Sequence, residues 1–358
     1  MLLVIGLHEL GHYFAAKCLG VGVRQIVLGL GKPFYRKTLA SGLVLGVTPY
    51  PIGGYVKLLD EREAPLLEEE KPRSFTYQAP WRRIVILLAG SAVNFLVAFL
   101  IFSSIFFVGM KQTSVIIGDI DVQSIAAKGG LQAGDLIQSI DGWQTPNWSL
   151  ALLSIMSHSG NHSPMMLTIK RGNETNLTAM LSMTAWNFNG LRQTPLDSLG
   201  IQLPEVLTKE MVRYGGMDAF KQGACRTWQY LALNLSMMKN IATRKISIAA
   251  LSGPLTLVEA AQSELDLGLM RFLSFIALLS VAVGLINLLP LPSLDGGHIL
   301  YVLIEKVRGK AMALDVEVLI YRFMLAALFI FCMQLLANDL NRLATPQVVE
   351  SQKSVTQT

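Results

Sequence analysis

Charge is scarce in this chain of 358 residues: Asp, Glu, Lys and Arg together make up only 15%, against roughly 25% in soluble domains. Hydrophobic residues reach 52% and mean hydropathy is +0.45, so part of the chain is expected in lipid. Cysteine is almost missing. Cys18, Cys225 and Cys332 lie far apart with no C-x-x-C pair, which argues against a disulfide framework and a thiolate zinc site. No basic n-region with an A-x-A site opens the chain, so no removable signal peptide is expected. The net charge of +5 is diffuse. It gives no reason to expect nucleic acid as a partner and suits a membrane protein with basic residues on its cytoplasmic side.

What the chain does contain is His8-Glu9-Leu10-Gly11-His12 inside the apolar run from Met1 to Gly20. Residues four apart share a helix face, so both imidazoles can reach one Zn²⁺. Glu9 sits beside them, where a carboxylate can take a proton from water at the metal. This is the H-E-x-x-H pattern of metalloproteases. Ionisable side chains within a hydrophobic segment are expensive, which makes them candidates for function.

Three further apolar segments follow: Ile84 to Met110 with 27 residues, Phe272 to Leu294 with 23, and Val318 to Ala337 with 20. Each is long enough to span hydrocarbon as a helix, and with the first segment they predict four spans. Arg24, Lys32, Arg36, Lys37, Lys57, Arg62, Lys71, Arg73, Arg82 and Arg83 lie between spans one and two, and Lys306, Arg308 and Lys310 between spans three and four. The excess of positive charge puts both loops in the cytoplasm and the long segment 111–271 on the opposite side. The expected organisation is a first span with the motif at 1–20, a membrane-associated β region at 21–83 and a second span at 84–110. A β-rich domain at 111–203 and an amphipathic helical region at 204–271 follow. A third span at 272–297, a cytoplasmic loop at 298–317, a fourth span at 318–340 and a disordered tail at 341–358 complete the chain. The fold class is therefore a polytopic α-helical membrane protein carrying a membrane-associated β-sheet and one β-rich domain.

Within the β-rich domain, Ser124-Ile125-Ala126-Ala127 starts a short helix, Gly130 to Asp135 forms a turn, and Leu136 to Gly142 and Met165 to Lys170 read as strands. Val115 to Gly118 is expected as a further strand. The pattern S-x-A-A-x-x-G-L-x-x-G-D-x-I-x-x-I-x-G resembles bacterial, circularly permuted PDZ domains, which bind peptide C-termini or extended segments by adding a strand to a sheet edge. His158 and His162 in this domain are expected at the surface.

Two imidazoles leave a zinc site one protein ligand short, with a fourth position for water. Asn287-Leu288-Leu289-Pro290-Leu291-Pro292-Ser293-Leu294-Asp295-Gly296-Gly297 supplies a candidate. Two prolines break the third span there, and non-helical backbone at membrane depth is tolerated where it lines a cavity. The topology sets Asp295 at the same depth as His8 and His12. His298 is expected to be solvent-facing or to stand behind the ligands, since a fourth protein ligand would close the site. Asn94, an amide within the second span, is expected to orient a ligand or the substrate, or to bond between helices.

The H-E-x-G-H and N-x-x-P-x-P-x-L-D-G-G pair resembles the site-2 protease family of intramembrane zinc metalloproteases. Gly29-Leu30-Gly31-Lys32 and Pro51-Ile52-Gly53-Gly54-Tyr55-Val56-Lys57 resemble its bacterial regulator-of-sigma-E branch. The resemblance implies His8, His12 and Asp295 as Zn²⁺ ligands and Glu9 as general base and later acid. It implies that Asn287 holds the substrate strand and that the sheet around Gly53 and Gly54 guides an unwound substrate. The implied substrates are single-span membrane proteins in the bacterial inner membrane, such as a trimmed anti-sigma factor and remnant signal peptides, with the PDZ domain in the periplasm. Two departures stand out: the first span is short on its outer side, with seven residues before His8, and 111–200 has room for one PDZ domain where the branch carries two; Ser91 also occupies a position where members of the family usually have proline. The alternative is a non-catalytic membrane PDZ adaptor with structural zinc, which three ligands beside Glu9 disfavour. A protease acting on soluble or lipid-modified ends outside the bilayer is disfavoured by Asp295 in a broken span.

Overall fold

The computed structural model describes residues 2–40, 42–62, 64–160, 163–184, 186, 194–204, 209–243, 253–310 and 312–344. His162 and the tail from 345 onward lie outside them. The elements in chain order begin with α1 (Leu2–Cys18), β1 (Val23–Leu30), β2 (Tyr35–Thr38), β3 (Val44–Val47), β4 (Tyr50–Leu58) and α2 (Pro80–Val108). The middle of the chain forms β5 (Met110–Thr113), α3 (Ile125–Lys128), β6 (Leu136–Ile140), β7 (Trp143–Gln144), α4 (Trp148–Met156), β8 (Met165–Arg171), β9 (Glu174–Leu181), α5 (Pro195–Leu199) and β10 (Lys209–Val212). Helices α6 (Gly216–Ala242), α7 (Pro254–Asp266), α8 (Leu269–Asn287), α9 (Asp295–Arg308) and α10 (Leu314–Ala344) close it. Two compact units result, Met1–Ile101 with Ile276–Ile330 and Phe102–Phe275 with Phe331–Thr358.

Three helical stretches among the described residues are long and apolar enough to cross a membrane: Pro80–Val108, Leu269–Asn287 and Asp315–Asn341. Helix α1 has 17 residues and reaches about 26 Å, short of a hydrocarbon core of about 30 Å.

In the first unit a four-stranded sheet has the order β2-β3-β1-β4. β1 pairs parallel with β3 and antiparallel with β4, so among the described residues β4 has a strand neighbour on one side only. Its register with β1 slips between the Leu28↔Gly54 and Leu30↔Tyr50 pairs, and Gly29 at φ 94° and Gly53 at φ 85° occupy the slip. Those backbone angles lie where only glycine sits without strain.

The break after α8 falls where the prolines predict it. The chain turns through Leu288–Leu294 and restarts as α9 with Asp295 in its first turn. Gly296 and Gly297 make the turn possible. A Cβ on Gly296 would strike the Leu288 and Leu289 carbonyls, and one on Gly297 the Leu291 carbonyl. The helix then runs to Arg308 and ends at Gly309 in the left-handed region, where the sequence leads one to expect a loop from 298. Tertiary anchors explain the difference. Val302 is buried among Ala16, Val21, Phe75, Ile86 and Leu87, and Glu305 accepts a 3.0 Å bond from the Arg83 guanidinium, itself 2% exposed. These contacts fix α9 against α1 and α2. At the exit of β4, Asp60 binds the Arg62 guanidinium and the Thr76 hydroxyl. Burial pushes its carboxyl up, but these bonds outweigh it and hold it below the ordinary range.

In the second unit, β7-β6-β8-β9 form an antiparallel sheet, and α3 is capped by the Ser124 side chain as its sequence suggests. Val115 to Gly118 makes a single bridge, Ile116↔Leu136, in place of a full strand. Helix α4, capped by Asn147, is an element the sequence reading left out. His158 is mostly buried, its side chain 13% exposed, where a surface residue is expected.

The turn that carries Asp295 is the most demanding backbone in the first unit. Gly297→Ala is expected to lower stability by about 1–3 kcal/mol through overpacking, read as earlier thermal unfolding in detergent, with Gly6→Ala, whose methyl group would meet only the Leu28 side chain at 3.5 Å, as a control outside the turn.

Candidate active site

Helix α1 presents His8 and His12 on one face because they are one turn apart. Both are buried, as is Glu9 between them. Gly11 lets this face lie against α2: a Cβ there would come within 2.6 Å of the Ala89 carbonyl oxygen. Gly90 does the same for the imidazoles. A Cβ on Gly90 would stand 2.7 Å from His8 Nε2 and still closer to His12 Nε2. The rings therefore occupy the space where α2 has no side chain.

The two Nε2 atoms are 3.1 Å apart, and the rings meet edge to face with centroids 4.8 Å apart. Asp295 Oδ2 lies 3.0 Å from His8 Nε2 and 3.3 Å from His12 Nε2. Among the described residues, this is the group of three potential ligands whose atoms converge, all within 4.8 Å of one another. Behind the rings, His12 Nδ1 is 2.8 Å from the Ile86 carbonyl oxygen, which fixes hydrogen on Nδ1 and turns the Nε2 lone pair inward. His8 Nδ1 is 3.3 Å from the fully buried Asn94 amide. Two imidazole nitrogens and one carboxylate oxygen, with a position left over, are the donor set of a catalytic zinc site. The room left by Gly90 and the orientation of His12 both fit that ion.

Glu9 stands apart from the converging ligand atoms. Its Cγ would be 3.3 Å from a Cβ on Gly54, so β4 approaches this closely because it carries glycine there. The Val56 backbone N–H donates to its carboxylate, and its nearest charges are His12, His8 and Asp295.

The sequence-derived candidates divide accordingly. His8, His12, Asp295, Glu9, Asn94 and Gly54 come together. Gly53 sits at the strand slip, and Asn287 donates its amide to the Val283 carbonyl of its own helix at 3.1 Å. His298 is exposed. Ser91 donates to the Gly284 carbonyl at 2.8 Å, and Ser280 donates to the Asn94 carbonyl at 2.9 Å. These bonds tie α2 to α8. Sequence reading missed Gly90 and the Ile86 carbonyl. The only signal for Gly90 was its place in an apolar helix four residues before Asn94.

The chain is similar to known proteins over nearly its whole length. The profile of Peptidase family M50 matches residues 1–331. The chain is 28% identical to Protease RseP of Yersinia pestis and 26% identical to Regulator of sigma-E protease RseP of Escherichia coli, each alignment covering 95% of this chain and 96% of the relative. A Vibrio cholerae protein named as a zinc metalloprotease is 24% identical over the same shares. The Yersinia alignment spans 435 positions, more than this chain's 358 residues, so the relative carries segments that this chain lacks. The chain belongs to Peptidase family M50 and is a zinc-dependent, membrane-embedded metalloendopeptidase of the site-2 protease type.

Proposed function

We propose that this enzyme hydrolyses a peptide bond within the transmembrane segment of a single-span protein, near its cytoplasmic end. His8, His12 and Asp295 hold Zn²⁺, and Glu9 is the general base and then the acid. The observation that carries the reading is the position of β4: among the described residues it is the outer strand of its sheet, and it runs past the carboxylate that would move the proton.

A peptide bond inside a membrane helix is shielded by its own hydrogen bonds. Unwinding exposes N–H and C=O groups that hydrocarbon cannot satisfy. The free edge of β4 offers such a segment backbone partners by strand addition, and the slip at Gly53 sets the edge close to Glu9. Bound Zn²⁺ supplies a Lewis acid that polarises the scissile carbonyl and acidifies water. Glu9 takes the proton at its carboxylate and delivers it to the leaving amide nitrogen. Asn287 receives the substrate strand once its amide leaves the Val283 carbonyl.

Asn94 acts on the metal through His8. The Asn94 Oδ1 atom is buried with no hydrogen-bond partner. A half-turn of the amide brings that oxygen to His8 Nδ1, where it accepts Nδ1–H and leaves Nε2 free for the ion. The same turn satisfies the orphaned oxygen.

The reading extends to four spans in the bacterial inner membrane, with α1 as the first and its bilayer locally thinned. The β region faces the cytoplasm and a PDZ domain within 111–203 faces the periplasm, where it takes peptide C-termini or extended segments. The relatives named as regulators of sigma-E support a trimmed anti-sigma factor as substrate class, and remnant signal peptides share its single-span form.

Three variants test this. With a tagged single-span substrate lacking its outer domain, wild type is expected to yield a shortened fragment on immunoblot. Glu9→Gln should yield none while keeping its zinc; equal cleavage by both would sink the role given to Glu9. Asn94→Leu is expected to weaken zinc retention against a chelator by about 10–100-fold, and wild-type retention would remove Asn94 from the site. Gly90→Ala should lose zinc outright by elemental analysis, because its methyl group takes the imidazoles' place.

A further inference from the structure

A second polar site lies outside the catalytic one. In the second unit a cavity of about 230 Å³ opens between the turn after β6, the C-terminal half of α4 and the middle of α6. Its lining includes Asp141, Trp143, Ser154, His158, Leu233 and Ser236. Helix α6 is fastened on both sides of it. The Gln229 amide donates to the Gln144 carbonyl at 2.6 Å, and the Asn240 amide donates to the Ser157 carbonyl. The cavity is therefore part of a fixed wall.

Its chemistry is one-sided. Among the described residues, no lysine or arginine lines it. Asp141 Oδ2 lies 2.8 Å from His158 Nε2, and its Oδ1 accepts from the Met166 N–H at 3.0 Å. The other imidazole nitrogen, Nδ1, is 3.3 Å from the Ser154 carbonyl oxygen. The Ser154 hydroxyl, on a residue 2% exposed, has no hydrogen-bond partner. Buried polar atoms without partners are rare and point to an absent one. The Trp143 indole adds an aromatic wall of the kind that attracts cations.

We propose that this cavity binds an aliphatic ammonium or guanidinium group, supplied by a free polyamine or by a Lys or Arg side chain of a peptide. Asp141 provides the charge, Trp143 the aromatic face and Ser154 a hydroxyl acceptor. The titratable groups facing the cavity are Asp141 from the β6–β7 turn and His158 from α4, while α6 contributes Ala232, Leu233 and Ser236.

Calorimetric titration of the full chain in detergent tests this with agmatine, a lysine-containing pentapeptide and glucose. Saturable agmatine or peptide binding is expected. Asp141→Asn should weaken it at least tenfold; asparagine keeps the acceptor for Met166 and tolerates the φ of 49° at this position. Ala232→Met should abolish binding by filling the cavity from α6, with thermal unfolding unchanged. Agmatine binding without peptide binding identifies a free amine as the source, and the reverse identifies a side chain. The proposal is overturned if neither cation saturates, if Asp141→Asn binds as well as wild type, or if glucose binds in their place.

Discussion

The close approach of α1 to α2 is the constraint on which the first unit depends. Two imidazoles and two carboxylates sit in a largely apolar environment, where unpaired polar groups are costly. They are tolerated because they face one another and because α2 yields space at the point of contact. Gly11 brings the helices together and Gly90 leaves the gap that the rings fill. A side chain at either position would separate the helices or displace a ring, and Asp295 would then have nothing to meet. The Ile86 carbonyl adds to this, since it comes from the same stretch of α2 and sets the direction of His12.

Asp295 reaches the pair by a different device. Prolines end α8, two glycines let the turn fold onto the start of α9, and the buried Arg83–Glu305 pair holds the far end of that helix. A buried guanidinium must be paired, so α9 is positioned at both ends by polar contacts and between them by Val302. The third potential ligand is thus as firmly held as the two on α1, although 287 residues separate it from His8.

Much of this was legible in the sequence, and what was not has a physical reason. His8 and His12 announce themselves because i, i+4 spacing is local. Asp295 is legible because prolines cannot continue a helix and because the charge bias predicts one depth for both segments. Gly90 is silent, since a glycine in an apolar helix looks the same whether it packs against lipid, a helix or an imidazole. The free edge of β4 is equally silent, because strand order depends on the parallel pairing of β1 with β3 across an intervening strand. The extent of α9 was hidden for a third reason: its anchors, Arg83 and Phe75, lie more than 200 residues away.

The two units show the same logic at different polarity. In the first, the groups that converge are backed by partners: His12 by a carbonyl, His8 by an amide, Asp295 by both rings. The atom left over is the Asn94 oxygen, and a half-turn of its amide settles it against His8. In the second, the His158–Asp141 pair is backed by the Met166 N–H and the Ser154 carbonyl, and the Ser154 hydroxyl is left over. An unpartnered buried atom beside a charged pair argues for something to meet it. In one case the protein's own amide can supply the partner. In the other no described side chain does, which is why the second cavity points outward, to a ligand.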